Sequence, residues 1–249
     1  RHKGDGYELC DGQHCQVYSG MRAESARSRA VVEGTRGRIV TYAGRPTNVL
    51  YSANCGGHAQ GAGEISGWGS LPYFVGRPDA PAEAGSPWSP WELRQWLRTS
   101  PPAFCSASAY THPAHYRWAR VIGASELESR LDRSLGVGRL QWVQPLRRAK
   151  SGHLNSVEVR GSKGKKLVQQ EIKIRGLFGP GSQRSSLFIV DAEYDARGKP
   201  SRYVFYGGGW GHAVGFCQSG AMGRALKGAT FAEILRTYYT GVEIGSLRY

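Results

Sequence analysis

No window of the 249 residues approaches 18 consecutive apolar positions, which excludes a bilayer-spanning helix within this stretch. The chain also lacks an internal repeat, a low-complexity segment, an RNA-recognition signature, a helix-turn-helix pattern and finger spacing. Nucleic acid is therefore an unfavoured partner. Acidic residues are scarce, 19 Asp and Glu against 33 Lys and Arg, leaving a net charge of +14. A balance so basic attracts polyanions without specificity: cell-wall polymers, membrane surfaces or nucleic acid. The basic residues are scattered, with short clusters only at Arg147-Arg148 with Lys150 and at Lys163 with Lys165-Lys166. Hydrophobic residues, 40% of the chain, are ample for a core.

Three blocks of organisation are legible. Residues 1–79 read as a small mixed unit: a Cys/His loop, a helix over 24–33, then strands near 38–42 and 47–53. Residues 80–145 are Pro- and Trp-rich and helical, suited to an inserted subdomain. Ser89 and Pro90 form an N-cap and first helical position, after which Leu93, Trp96 and Leu97 share a face. Leu127, Leu131 and Leu135 repeat at a spacing of four. Residues 146–249 turn to strands. Val157 and Val159 alternate with polar residues, Gly161–Gly164 reads as a hairpin turn, and Leu167, Val168, Ile172 and Ile174 continue the return strand. Strands follow at 186–191 and 202–206, and Thr230 with Glu233 caps a last helix. The expected class is α+β, a strand-dominated core with short helices.

Five cysteines are present, and three of the chemistry-bearing residues crowd together: Cys10, His14 and Cys15, with His2 eight positions upstream. Two thiolates and an imidazole suit tetrahedral zinc, with His2 as fourth ligand and water or His58 as alternatives for that position. A Cys10–Cys15 disulfide or free thiols remain open. Of Cys55, Cys105 and Cys217 at most two can then pair. A nucleophilic cysteine finds no Cys–His spacing in its support.

The densest signal is the run from Gly207 to Ala221, Gly-Gly-Gly-Trp-Gly-His-Ala-Val-Gly-Phe-Cys-Gln-Ser-Gly-Ala. Glycine at this density lets backbone turn tightly and approach a ligand closely. The run resembles the "GWGHGVGMSQxGA" signature of the stage II sporulation protein D family, also called amidase enhancers. In the same order, Tyr18-Ser-Gly and Thr35 to Pro46 resemble its "YxG…AVxxTxGxVLxYxGxP" block. Tyr51 to His58, with Trp68-Gly and Pro72-Tyr-Phe, resembles its "SxxCGGxT…PYL" block, and Thr230 to Gly241 resembles its closing helix. Together these cover residues 7–79 and 200–249.

The resemblance implies a cell-envelope or secreted protein acting on peptidoglycan, and zinc near the Cys/His loop in some members. It implies a lytic transglycosylase, which protonates the glycosidic oxygen between N-acetylmuramic acid and N-acetylglucosamine and closes an anhydro ring. The alternative is a non-catalytic peptidoglycan-binding module that activates an N-acetylmuramoyl-L-alanine amidase. The family's acid–base glutamate sits in a "GVVxxEMP" segment, which is expected upstream of Arg1. Glu64, beside Trp68 and Gly69, is a substitute candidate. Carried over by motif, Tyr51, Ser52, Cys55, Gly56, Gly57, Trp210, His212 and Gln218 would receive the glycan. Cys55 and Cys217, both in cleft motifs, would be neighbours.

Overall fold

The computed structural model describes residues 2, 4–12, 15, 18–81, 89–106, 108–178 and 183–247. It is α+β, 28% helix and 30% strand, so strands lead only narrowly. The chain forms two compact units, residues 1–39 with 244–249, and residues 40–243.

The first unit carries α1 (Ala26–Gly34), opened by a reciprocal Ser25–Ser28 cap in which each side-chain oxygen accepts the other's backbone N–H, at 3.1 and 2.9 Å. The chain then enters β1 (Arg38–Tyr42), whose Thr41 and Tyr42 pair antiparallel with β2 (Arg45–Pro46), and its last strand is β11 (Glu243–Ser246).

Within residues 40–243, a short β3 (Tyr51–Ser52) replaces the longer strand expected over 47–53. α2 (Pro90–Arg98) has the expected cap: Ser89 Oγ accepts from Glu92 N at 3.1 Å, and Glu92 Oε2 accepts from Ser89 N at 2.8 Å. Its Leu93 and Leu97 pack on Leu187 and Ile189, while Arg94 and Arg98 both pair with Asp191. Next come α3 (Pro113–Tyr116), β4 (Arg117–Gly123) and α4 (Ala124–Leu135). The last of these buries Leu127 and Leu131 and stops at left-handed Gly136.

β5 (Leu140–Arg148), β6 (Leu154–Gly161) and β7 (Gly164–Gln169) form an antiparallel meander, with the hairpin turn at the expected Gly161–Gly164. The return strand ends sooner than the sequence suggests. Gln170 takes φ 72°, and Ile172 and Ile174 fall in α5 (Glu171–Leu177) instead. Ile174, Leu177 and Phe178 then sit at helical spacing in the core, and Glu171 pairs with Arg175 one turn on, at 3.2 Å.

β8 (Phe188–Tyr194) and β9 (Pro200–Gly208) join β4 in a sheet of order β4-β9-β8. Its Phe188 and Phe205 meet Leu127, Leu131, Val157, Val159 and Ile174 in the largest core cluster. From β9 the chain runs through the glycine-rich segment into β10 (Phe216–Cys217), α6 (Gln218–Leu226) and α7 (Phe231–Tyr238). The Thr230–Glu233 capping box that opens α7 is present as expected. No helix among the described residues is long and apolar enough to cross a membrane.

Candidate functional site

β9 ends on Gly207 and Gly208, still paired with β4, and the next residues are clamped against the segment after β3. Asn54 and Trp210 exchange two backbone hydrogen bonds, 3.1 and 2.8 Å. β10 then pairs in parallel with β3, Phe216 beside Tyr51 and Cys217 beside Ser52. The glycines serve this approach: at Gly209, φ 80°, a Cβ would lie 2.8 Å from the Asn54 carbonyl oxygen.

With the backbone held, the large side chains turn outward. Trp210 is 38% exposed, Tyr51 39% and Trp68 41%. His115 meets the Trp210 indole edge-on at 4.7 Å, and the Arg184 guanidinium lies 4.9 Å from its centroid. Trp68 packs against the His212 ring at 4.9 Å. His212 Nδ1 accepts the Val214 N–H at 3.1 Å, so the neutral ring carries its proton on Nε2. Gln60 sets this ring in place. Its side-chain amide donates to the His212 carbonyl at 2.9 Å, and its backbone N–H donates to the Ala213 carbonyl at 2.7 Å. Between them Ala213 is held at φ 57°, a conformation L-residues adopt only when their surroundings enforce it. Ser52 Oγ is buried with no hydrogen-bond partner among the described residues, and Gln218, first in α6, is exposed.

The structure thus packs Gly211 against buried Ser52, leaves Trp210 exposed and His212 partly exposed on the same glycine-rich segment, and leaves Tyr51 exposed on the paired strand. Cys55, Gly56 and Gly57 are buried. Glu64 spends both carboxylate oxygens on backbone N–H groups, Oε2 on Gly61 at 3.0 Å and Oε1 on Lys150 at 2.8 Å.

Cys55 and Cys217 are neighbours as expected, and Cys105 and Asp79 join them. Cys55 N donates to Cys217 Sγ at 3.2 Å, and Cys55 Sγ lies 3.6 Å from both Cys105 Sγ and Asp79 Oδ2. Burial pushes the Cys55 and Cys105 thiols well up. Burial pulls Cys217 the same way, but the two other thiols and the Gly220 and Cys55 N–H groups outweigh it and hold Cys217 well below the usual thiol range. Burial first, then Cys217, pushes Asp79 up to about 7, against the Tyr238 hydroxyl and Arg224. Asp79 and Gln60 carry no motif of their own, and the sequence offers Cys105 only as a possible disulfide partner.

A buried histidine pair was missed for the same reason. His153 Nδ1 sits 2.9 Å from Ser151 Oγ, with Nε2 unpartnered among the described residues. Burial lowers the basicity of His153 strongly, helped by His58 and Arg148, and burial lowers that of His58 too. An unfolded histidine titrates near 6.5, so as pH falls below that value the unfolded chain gains protons that folded His153 refuses, and stability drops. Asp79 acts oppositely: its raised folded pKa makes stability fall as pH rises from about 4 to 7. The difference between the protein and its His153→Gln variant isolates the histidine. Between pH 7.5 and 5.5 the unmutated protein is expected to lose about 1 kcal/mol more, read from denaturant midpoints.

In the first unit, His2, Cys10 and Cys15 place their ligand atoms within 4.8 Å of one another. His2 Nε2 lies 3.1 Å from Cys15 Sγ, and its Nδ1 2.9 Å from Asp5 Oδ2. His14, the remaining ligand expected from the sequence, lies outside the described residues. No disulfide joins Cys10 and Cys15.

Cys105, His115, Arg184, Trp210 and His212 fall within one family segment, whereas Tyr51, Trp68, Cys55, Asp79 and Cys217 lie outside it. Residues 90–215, just over half of the chain, match the model of a domain of unknown function (DUF8618), and the chain belongs to that family. Residues 1–42 match the stage II sporulation protein model. The chain is 26% identical to the amidase enhancer of Bacillus subtilis (strain 168) over 93% of its own length and 34% of the relative's. It is 25% identical to the stage II sporulation protein D of Bacillus amyloliquefaciens over 86% of its length and 49% of the relative's. The Bacillus subtilis stage II sporulation protein D is 24% identical over 86% and 49%. The chain is therefore a relative of the stage II sporulation protein D and amidase enhancer family, as its motifs imply, and it spans a third to a half of these relatives' length.

Proposed function

We propose that this chain provides the glycan-binding wall of a cell-envelope or secreted protein acting on peptidoglycan, in the manner of a lytic transglycosylase. The observation that carries the reading is the half-exposed Trp210, backbone-clamped to Asn54 and flanked by His115 and Arg184. A partly exposed indole fixed through its backbone offers a rigid apolar face with a polar edge. The C–H face of a pyranose suits it, and His212 and Gln218 would hydrogen-bond the sugar's hydroxyl and acetamido groups. The net charge of +14 adds attraction to anionic wall polymers.

Cleavage needs one carboxylic acid that protonates the glycosidic oxygen and then, as carboxylate, deprotonates the C6 hydroxyl. Glu64 is committed to two backbone N–H groups and Asp79 is buried among thiols, so neither is placed to reach a glycan. In this reading the acid is the glutamate that the family carries in its upstream segment, and the wall described here binds and orients the strand. A second reading is favoured by the 26% identity to an amidase enhancer: a binding module that stimulates an N-acetylmuramoyl-L-alanine amidase. His2, Cys10 and Cys15 would hold a zinc ion that staples the first unit, with the Asp5 carboxylate orienting the imidazole from behind.

Sedimentation of the chain with purified sacculi tests the proposal. Retention that survives removal of stem peptides by an amidase supports glycan recognition, and a chain left wholly in the supernatant contradicts it. Anhydromuramyl ends among the soluble products, read by mass spectrometry, favour the first reading. Faster stem-peptide release by added amidase, without such ends, favours the second.

A further inference from the structure

Cys55 and Cys217 are 162 residues apart in sequence, yet they meet Asp79 and Cys105 in one interior cluster of three sulfurs and a carboxylate. The four ligand atoms lie within 4.8 Å of one another, and all four residues are buried. A buried carboxylate beside three thiols is an expensive arrangement unless a cation compensates it. Arg224 is one such cation, reaching Asp79 Oδ1 at 3.0 Å.

We propose that Cys55, Asp79, Cys105 and Cys217 form a closed structural site for a zinc-class divalent ion, distinct from the Cys/His loop of the first unit. The distances fit that chemistry. A tetrahedral ion with metal–sulfur bonds of about 2.3 Å and a metal–oxygen bond of about 2.0 Å sets sulfur–sulfur edges near ~3.8 Å and sulfur–oxygen edges near ~3.5 Å. The corresponding separations, Cys55 Sγ to Cys105 Sγ and to Asp79 Oδ2, are both 3.6 Å.

The surrounding groups fit as well. Tyr238 and Arg224 both bind Asp79 Oδ1, at 2.8 and 3.0 Å, which leaves Oδ2 as the oxygen turned to the sulfurs. Cys217 Sγ accepts backbone N–H groups from Cys55 at 3.2 Å and Gly220 at 3.3 Å, the outer hydrogen bonds that support a metal thiolate. Four protein ligands and complete burial leave no open position, so the ion is structural. It pins the turn after β3, the segment before α3 and the start of α6, which are the supports of the aromatic wall. The inference rests on the cluster alone and does not depend on glycan binding.

The test uses the full chain with Cys10→Ser and Cys15→Ser, which removes the first unit's thiols. The protein is refolded from denaturant under reducing conditions with Zn²⁺ or Co²⁺ as the only metal. The expected result is one equivalent of tightly held zinc by elemental analysis, and with cobalt the charge-transfer and visible bands of a tetrahedral thiolate site. Adding Cys105→Ser is expected to cut retained metal at least tenfold. Should that variant fail to fold, the cobalt spectrum of the parent still decides. A folded parent that holds under a tenth of an equivalent overturns the proposal.

Discussion

Gly220→Ala is expected to destabilise the protein by about 3 kcal/mol or more, one of the largest effects open to a single methyl group here. Gly220 lies in the first turn of α6, where a Cβ would press into Asp79 Oδ2 and the Tyr238 hydroxyl. Neither partner can retreat cheaply. Asp79 is 1% exposed and held by Arg224, and Tyr238 is buried in the same cluster. Overpacking costs about 1–3 kcal/mol, and parting the Tyr238–Asp79 hydrogen bond leaves a buried polar group unsatisfied for about 1–3 more. For a chain of this size the melting temperature would fall by roughly 10 °C. Gly176→Ala is the matched control: it sits inside α5 with nothing within 4 Å of its added Cβ. That change is expected to raise stability by about 0.5–1 kcal/mol, because alanine is the better helix former. Thermal melts of both variants followed by circular dichroism decide the matter, and equal shifts would refute the packing account.

Trp210→Ala is expected to weaken retention on amidase-stripped glycan strands about thirtyfold, equivalent to about 2 kcal/mol, while leaving the fold intact. The indole is 38% exposed, so its removal opens little interior space. Asn54 holds residue 210 through backbone groups alone, and these survive the substitution. Trp91→Ala supplies the comparison, since Trp91 is 68% exposed on α2 and has no place in the proposed wall. Its binding is expected to match the unmutated protein. Equal loss in both variants would mean that adhesion to strands is a general property of exposed tryptophans rather than of this wall.

Where a signal was local, the sequence was readable. The caps of α2 and α7 rest on residue pairs three apart, Ser89 with Glu92 and Thr230 with Glu233, and both formed. The hairpin between β6 and β7 likewise follows from its two glycines. α5 was hidden because Val168, Ile172 and Ile174 also suit strand alternation. What decided against the strand was a left-handed turn at Gln170, a residue whose type does not announce one. Tyr51, Trp210 and His212 stand in the family motifs, which name them but not their surroundings. The thiol cluster was half visible, through Cys55 and Cys217. Asp79 and Cys105 enter it by long-range backbone pairing, Asp79 N to Gly57 O at 2.9 Å and Phe104 N to Asp79 O at 2.8 Å. No spacing rule reports such a juxtaposition. Gln60 escaped likewise, since its task is to hold the backbone of residues 212 and 213.

The most direct test of glycan recognition by this wall follows the indole N–H resonances of the full chain during titration with a stem-peptide-free glycan oligosaccharide. The account predicts saturable shifts of the Trp210 and Trp68 signals, with Trp91 unmoved. Shifts spread evenly over all tryptophans, or none at saturating oligosaccharide, would contradict it.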